Sequence, residues 1–200
     1  MRNLLLFALL TIILGTLSAC GSKTTTITEQ TKEETQSENQ PGNVVTITDA
    51  RGEVEIPLSP LRIADLSGNS DILSILGYKV SGTANSDAYD YTKFPSYLET
   101  ILDGATILGY SMQDTMDIEG VMNLEPDLII ISQVQEKMYE PLKEIAPTVM
   151  IELEALDWKE DIRAVGKVLQ KETESEQWIT SYEKKSKEVG LKLKEEYGED

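Results

Sequence analysis

The chain of 200 residues contains no histidine and a single cysteine, Cys20. Without an imidazole, a serine or cysteine nucleophile lacks its usual base, and the common zinc ligand sets lose a member. Without a second thiol there is no internal disulfide and no thiolate cluster. Positive charge is scarce too: 18 Lys and Arg face 35 Asp and Glu, for a net charge of −17. The acids are spread along the chain, so neither a nucleic-acid surface nor one that hugs anionic lipid is expected, since both need clustered Lys and Arg. Also missing are a Gly-x-Ser-x-Gly elbow, a Gly-rich phosphate loop and a dinucleotide fingerprint. Two carboxylate groups, Asp87 with Asp90 and Asp114 with Asp117 and Glu119, do not follow the calcium-loop pattern and read as solvated surface.

Long apolar runs are equally rare. The one at the start, Leu4 to Leu14, follows Arg2, precedes the small residues Gly15, Ser18 and Ala19, and falls short of the roughly 20 residues of an ordinary membrane span. That order is a secretory signal peptide. It also accounts for the lone thiol: Leu17-Ser18-Ala19-Cys20 resembles a bacterial lipobox, which implies that residues 1–20 hold a lipoprotein signal and that Cys20 becomes the lipidated first residue. Two or more acyl chains would anchor the exported protein to the outer face of the cell membrane, where one chain binds only marginally. Residues 21–43 are Thr, Ser, Glu, Gln and Lys with Ile27 as the one large apolar side chain. Such a segment cannot bury enough surface to offset its ordering entropy and is expected to be a disordered tether.

From Val44 onward the pattern is that of a folded domain. Val44 to Pro57 alternates apolar and polar residues around Arg51-Gly52, which predicts a hairpin at the domain's edge. Short β-branched runs follow at Arg62–Leu66, Lys79–Ala84, Ala105–Tyr110, Asp127–Ser132 and Thr148–Leu153. Between them Ser70–Leu76, Tyr91–Leu102, Asp117–Leu124 and Glu136–Ile145 have helical spacing. Strands alternating with helices predict an α/β lobe over residues 44–155, its mainly parallel sheet covered on both faces. Residues 156–200 read as two helices. Trp158–Leu169 has Asp157 as N-cap, and Glu174–Tyr197, about 36 Å at 1.5 Å per residue, carries a narrow apolar stripe of Trp178, Tyr182, Val189, Leu193 and Tyr197.

The stretches Asp117-Ile118-Glu119-Gly120-Val121-Met122-Asn123-Leu124-Glu125-Pro126-Asp127-Leu128, Leu124 to Ser132 and Glu144 to Glu152 resemble the extracytoplasmic substrate-binding proteins of iron-siderophore, haem and cobalamin ABC importers. In that family an Asn-Leu-Glu motif opens a helix leading to a Leu-x-Pro-Asp-Leu-Ile-Ile strand, and the next strand begins at Ala-Pro-Thr-Val. Asp117-Ile118-Glu119 stands in for the first motif; the other two are intact. The resemblance spans about Val44 to Asp200 and implies the N-terminal lobe of a helix-linked periplasmic-binding-protein-like fold, with the last helix leading to a second lobe that these 200 residues lack. The implied role is capture of a ferric siderophore or similar chelate and its delivery to an ABC permease, with no catalysis, no covalent cofactor apart from lipid and no metal bound directly. Glu119 is the residue that would dock a permease arginine, since Ile118, Val121 and Met122 are expected to face inward and leave it in solvent.

Ligands of open parallel sheets bind outside the carboxyl ends of the strands. Counting to those ends gives Ser67, Gly68 and Asn69, then Asn85, then Tyr110 to Gln113, then Ser132 and Gln133, and lastly Leu153 and Glu154. Among these, Asn69, Asn85, Tyr110, Gln113 and Gln133 are the ligand-binding candidates, Tyr110 first, because a phenol offers a flat face and a hydroxyl to a bulky chelate. Gln113 stands where many hydroxamate binders of the family carry arginine. The predicted rim is poor in Lys and Arg for a tris-catecholate, and the missing His disfavours haem and free divalent metal. A ferric chelate of low net charge is the reading that remains, with a scaffold lipoprotein that binds a protein partner as its alternative. Haem or cobalamin binding, or an exported carboxylate-dependent enzyme, stands behind both.

Overall fold

The computed structural model describes residues 44–87, 89–153 and 157–198. The signal peptide, Cys20, the tether and Glu154 lie outside the described residues. The expected hairpin is present: β1 (Val44–Asp49) pairs antiparallel with β2 (Gly52–Pro57), and both Arg51 and Gly52 donate backbone N–H to the Asp49 carboxylate at its turn. It stands against the edge of the main sheet, where Ala50 N–H donates to the Met150 carbonyl (3.1 Å) and Met150 N–H to Asp49 Oδ2 (2.7 Å).

The five β-branched runs become β3 (Ile63–Asp65), β4 (Val80–Asn85), β5 (Thr106–Tyr110), β6 (Leu128–Ser132) and β7 (Thr148–Ile151). All pair in parallel, in the order β5-β4-β3-β6-β7. Every residue of β6 is buried, as befits a Leu-Ile-Ile-Ile run with both faces covered. Its alternation divides the core. Leu128 and Ile130 join Ile72 and Leu73 of α1 (Ser70–Ile75), Ile162 and Val165 of α4 (Trp158–Val168) and Ile179 of α5 (Glu172–Tyr197). Ile129 and Ile131 face the other way, toward Val121 of α2 (Ile118–Asn123) and Leu142 of α3 (Tyr139–Lys143). The chain leaves β3 for β4 in one direction and β6 for β7 in the other, so neighbouring strands β3 and β6 are the topological switch point.

Two expected helices are corrected. Residues 91–102 form successive turns instead of a helix. Pro95 lies in their midst, has no N–H to give and biases Phe94 away from helical geometry; its carbonyl accepts from both Leu98 N–H (2.8 Å) and Glu99 N–H (3.2 Å). Only Leu98 and Leu102 are fully anchored in the core there. The helix expected over 136–145 is split into a 3-10 turn, Gln133–Met138, and the short α3, with Pro141 in the first turn of α3, where a missing N–H is tolerated. The Asp127 carboxylate accepts from Leu61 and Arg62 N–H, both at 2.8 Å, and so fixes the entry to β3, while Glu125 turns the chain at φ 46°.

Asp157 caps α4 as expected, accepting from Lys159 N–H at 2.9 Å. Ser175 and Ile179 are the fully buried residues of α5, with Trp178 half-buried, and Arg163–Glu176 and Lys159–Glu183 ion pairs tie its first half to α4. At its root Trp158, Trp178 and Tyr182 form a cluster, Trp178 stacked on Tyr182 at 5.3 Å and Trp158 edge-on to both. Beyond this point Val189, Leu191, Leu193 and Tyr197 are exposed.

Candidate functional site

The site is read at the carboxyl edge of the sheet, around the switch point. At the end of β3 the fully buried carboxylate of Asp65 receives Ser67 N–H (3.0 Å) and Ser67 Oγ–H (2.6 Å) on Oδ1, and the Ser70 hydroxyl (2.6 Å) on Oδ2. The Ser70 hydroxyl also lies 2.7 Å from Thr83 Oγ1 of β4. Desolvation raises the Asp65 carboxyl above the usual carboxylate range; the serine hydrogen bonds oppose this and the nearby charge of Asp71 adds to it. Between the two serines, Gly68 adopts φ 79° and presses against the next loop so closely that a Cβ there would lie 2.4 Å from Ser111 Cβ. Only glycine satisfies both demands. Asn69 projects beside it, half-exposed, its amide donating to the Ser67 carbonyl (3.2 Å).

A second buried residue holds the opposite side. Gln135 Oε1 accepts from Ser132 N–H (3.1 Å) and Oγ–H (2.9 Å), while Nε2 donates to the carbonyls of Ser111 (2.6 Å) and Gln113 (3.2 Å). It therefore ties the exit of β6 to the loop after β5. Ser111 N–H in turn donates to the Asn85 carbonyl (2.9 Å).

The sequence candidates fall into two groups. Asn69, Tyr110 and Gln113 lie on adjacent loops around Gly68 and Ser111 and are accessible, Gln113 fully so and the other two in part. Asn85 is buried: its amide donates to the carbonyls of Asp90 and Lys93 and accepts from Asp87 N–H, so it shapes the loop after β4 from within. Gln133 is exposed and exchanges hydrogen bonds with the backbone of Leu153, bridging the exits of β6 and β7. Sequence reasoning missed Tyr91, whose ring stands 6.4 Å from that of Tyr110 and tilted to it by 37°. Tyr89 beside it is fully exposed. Reading 91–102 as a helix hid this aromatic shelf. Asp65 and Gln135 were missed as well, because their partners come from other strands and loops.

Charge at this edge is internally balanced or negative. Lys93 pairs with Asp90 (3.4 Å) and Lys137 with Asp114 (2.7 Å); Arg51, by the hairpin turn, pairs with Glu136 (3.1 Å) and lies over the Tyr139 ring at 4.4 Å. Hydrogen bonds from the Thr92 hydroxyl and Lys137 hold Asp90 and Asp114, respectively, below their ordinary carboxylate range. A cavity of about 250 Å³ lined by Val45, Ile56, Tyr78, Leu169 and Lys171 lies elsewhere, at the end where the strands begin. It is below the usual 300–1,000 Å³ of ligand pockets and on the wrong side of the sheet for this class of fold.

Glu119 is exposed on the first turn of α2, whose N-cap Asp117 accepts from Gly120 N–H at 2.9 Å. The buried side of this helix is Val121 with a half-buried Ile118; Met122, expected inside, is 56% exposed. Gly120 lies toward β5, where a Cβ would sit 3.1 Å from the Leu108 side chain, and Met122, two residues and about 200° further round the helix, falls outside the packed face.

A parallel sheet with a switch-point edge, helices on both faces and a long departing helix suit a binding-protein lobe, and the family model described as periplasmic binding protein matches residues 67–199. The chain belongs to that family. Within it, the chain is 30% identical over 88% of its length to a Bacillus subtilis protein named as a probable siderophore-binding lipoprotein, YfiY, covering 52% of that protein. It is 28% identical over 96% of its length to the iron(3+)-hydroxamate-binding protein FhuD of the same organism, covering 56% of it. Among solved structures, Staphylococcus aureus SirA complexed with staphyloferrin B superposes with a TM-score of 0.60 at 31% identity, over 76% of this chain and 53% of SirA. The chain spans about half the length of the curated relatives it matches.

Proposed function

We propose that this chain supplies one wall of a cleft that captures a ferric siderophore of low net charge, and that the exported, lipid-anchored protein hands it to an ABC permease. The observation that carries the reading is the edge at the β3/β6 switch point, where Tyr91, Tyr110, Asn69 and Gln113 offer flat and hydrogen-bonding surface while the neighbouring cations are already paired. The relatives named for siderophore and ferric hydroxamate binding support it. Tris-catecholates, strongly anionic, would meet paired cations and an excess of carboxylate here.

Trp158 and Trp178 provide the optical probe. Titration with a neutral ferric trihydroxamate is expected to quench tryptophan emission saturably with one equivalent bound and a Kd of order 10 μM, about −7 kcal/mol. A ferric tris-catecholate should quench at least tenfold less tightly. If no ferric chelate gives a saturable signal, the capture reading is wrong. The anchoring reading rests on the lipobox resemblance of Leu17 to Cys20. In a Gram-positive host the Cys20→Ala variant is expected to leave the membrane fraction, and continued co-sedimentation with membranes at the wild-type level would overturn the anchor.

A further inference from the structure

Among the described residues, Asp65 is the one fully buried acid of the carboxyl edge. It is wholly buried, in a lobe whose other acids near the site are at the surface, and its carboxylate gathers donors from both ends of the β3–α1 loop. Burying a carboxylate costs stability even when hydrogen-bonded, and a polar residue retained at such a cost needs another account. The loop it holds is short, contains the left-handed Gly68 and carries Asn69 to the switch point; it is pressed against Ser111, whose own carbonyl is held by Gln135. Charge-assisted bonds are roughly twice as strong as neutral ones, so an ionised Asp65 fixes this loop more firmly than any neutral side chain of its size.

We infer that Asp65 is a positioning residue for ligand capture: its buried carboxylate locks the Ser67–Ser70 loop so that Gly68 and Asn69 form a preformed floor at the cleft. This rests on the capture reading above. Affinity is then maintained at the expense of stability, and the two respond oppositely to the same substitution. The charged group bearing on Asp65 is Asp71, on the first turn of α1; Ser67, Ser70 and, from β4, Thr83 are neutral. Because burial raises its carboxyl in the folded state, the ionised form of Asp65 opposes folding, and that opposition is relieved as the pH falls through its folded value toward the ordinary carboxylate range.

The test compares the full chain with its Asp65→Asn and Ser67→Ala variants, titrating each with a neutral ferric trihydroxamate and recording thermal unfolding and backbone hydrogen exchange. Asp65→Asn is expected to melt no lower than wild type at pH 7, to exchange its Ser67–Ser70 amides faster and to bind about tenfold more weakly. Ser67→Ala, which keeps the backbone bond to Asp65, should lose affinity in the same sense but less. As the pH falls and the carboxylate takes up its proton, the wild-type affinity should fall toward that of Asp65→Asn, and any stability advantage of the variant should shrink. A lower melting point with unchanged affinity would make Asp65 a structural residue only and overturn the inference. So would unchanged loop exchange, or a wild-type pH profile retained by Asp65→Asn. Should either variant not fold, the other supplies the exchange and affinity comparison. Wild-type protein that binds no chelate would instead fail the capture reading, and the positioning role with it.

Discussion

Replacing Gly166 with valine is expected to lower the thermal midpoint by roughly 6–12 °C, corresponding to about 3 kcal/mol for a lobe of this size. Gly166 lies where α4 crosses α5. A Cβ at this position would meet Ser175 Oγ at 2.0 Å, Ser175 Cβ at 3.1 Å and the Lys171 carbonyl at 3.1 Å. Serine has no long chain with which to withdraw, and Ser175 is itself fully buried with its hydroxyl donating to the Ile162 carbonyl (3.2 Å). The clash can be relieved only by moving α5 away from α4. That movement would expose Ile179 and break the tight turn in which Lys171 N–H donates to the Gly166 carbonyl (2.6 Å) while Gln170 holds φ 56°. Valine gains a few tenths of a kcal/mol in helix propensity over glycine, far less than the overpacking costs. Ser175→Gly in the same chain should recover part of the loss, since the two positions are in direct contact and are not additive. A midpoint within 2 °C of wild type, measured by circular dichroism, would show that the helix pair yields without cost.

Reversing charge at Glu119 is expected to leave the lobe folded and its chelate binding intact while reducing uptake at least tenfold in cells supplied with radioactive ferric chelate. The two halves of that expectation have separate causes. Glu119 is exposed, its helix is capped by Asp117, and the inward residues are Ile118 and Val121, so Glu119→Arg touches no packed side chain. An acid in the first helical turn contributes only about 0.3–1 kcal/mol through the helix dipole. Truncating one partner of a charge pair at an interface costs roughly 2–5 kcal/mol, and reversal places like charges together. The exposed Met122 adds an apolar neighbour on this helix. Uptake by the variant at the wild-type rate would remove Glu119 from permease docking, while loss of chelate binding in the purified protein would show that the substitution acts elsewhere.

The parallel sheet could be read from the chain because each strand is a short β-branched run bounded by turn chemistry, and Leu128 to Ile131 has no polar residue until Ser132. Asp157 announced the start of α4 for the same local reason. The failures come where local pattern competes with a single residue or with tertiary contact. Pro95 undoes a helical spacing that Leu98 and Leu102 imitate, and α2 turns Gly120 rather than Met122 toward β5. Chain order placed the loops at the carboxyl ends of the strands but did not give the direction of their side chains. Asn85 turns inward to hold its own loop, and Gln133 is tied to Leu153. The two buried organisers were invisible because what makes them so is remote: Asp65 meets Thr83 through Ser70 and Gln135 reaches Ser111, pairings that no periodicity encodes.

The long helix is, mechanically, a lever. It is clamped to the lobe by about two turns near Ser175 and Ile179 and by the ring cluster at Tyr182, after which about 22 Å of helix extends to Tyr197. A change of about 5° at the clamp would displace the tip by about 2 Å. Trp158, Trp178 and Tyr182 thus set an aim as well as a contact: small repacking among three rings at the root is magnified at the far end of the helix.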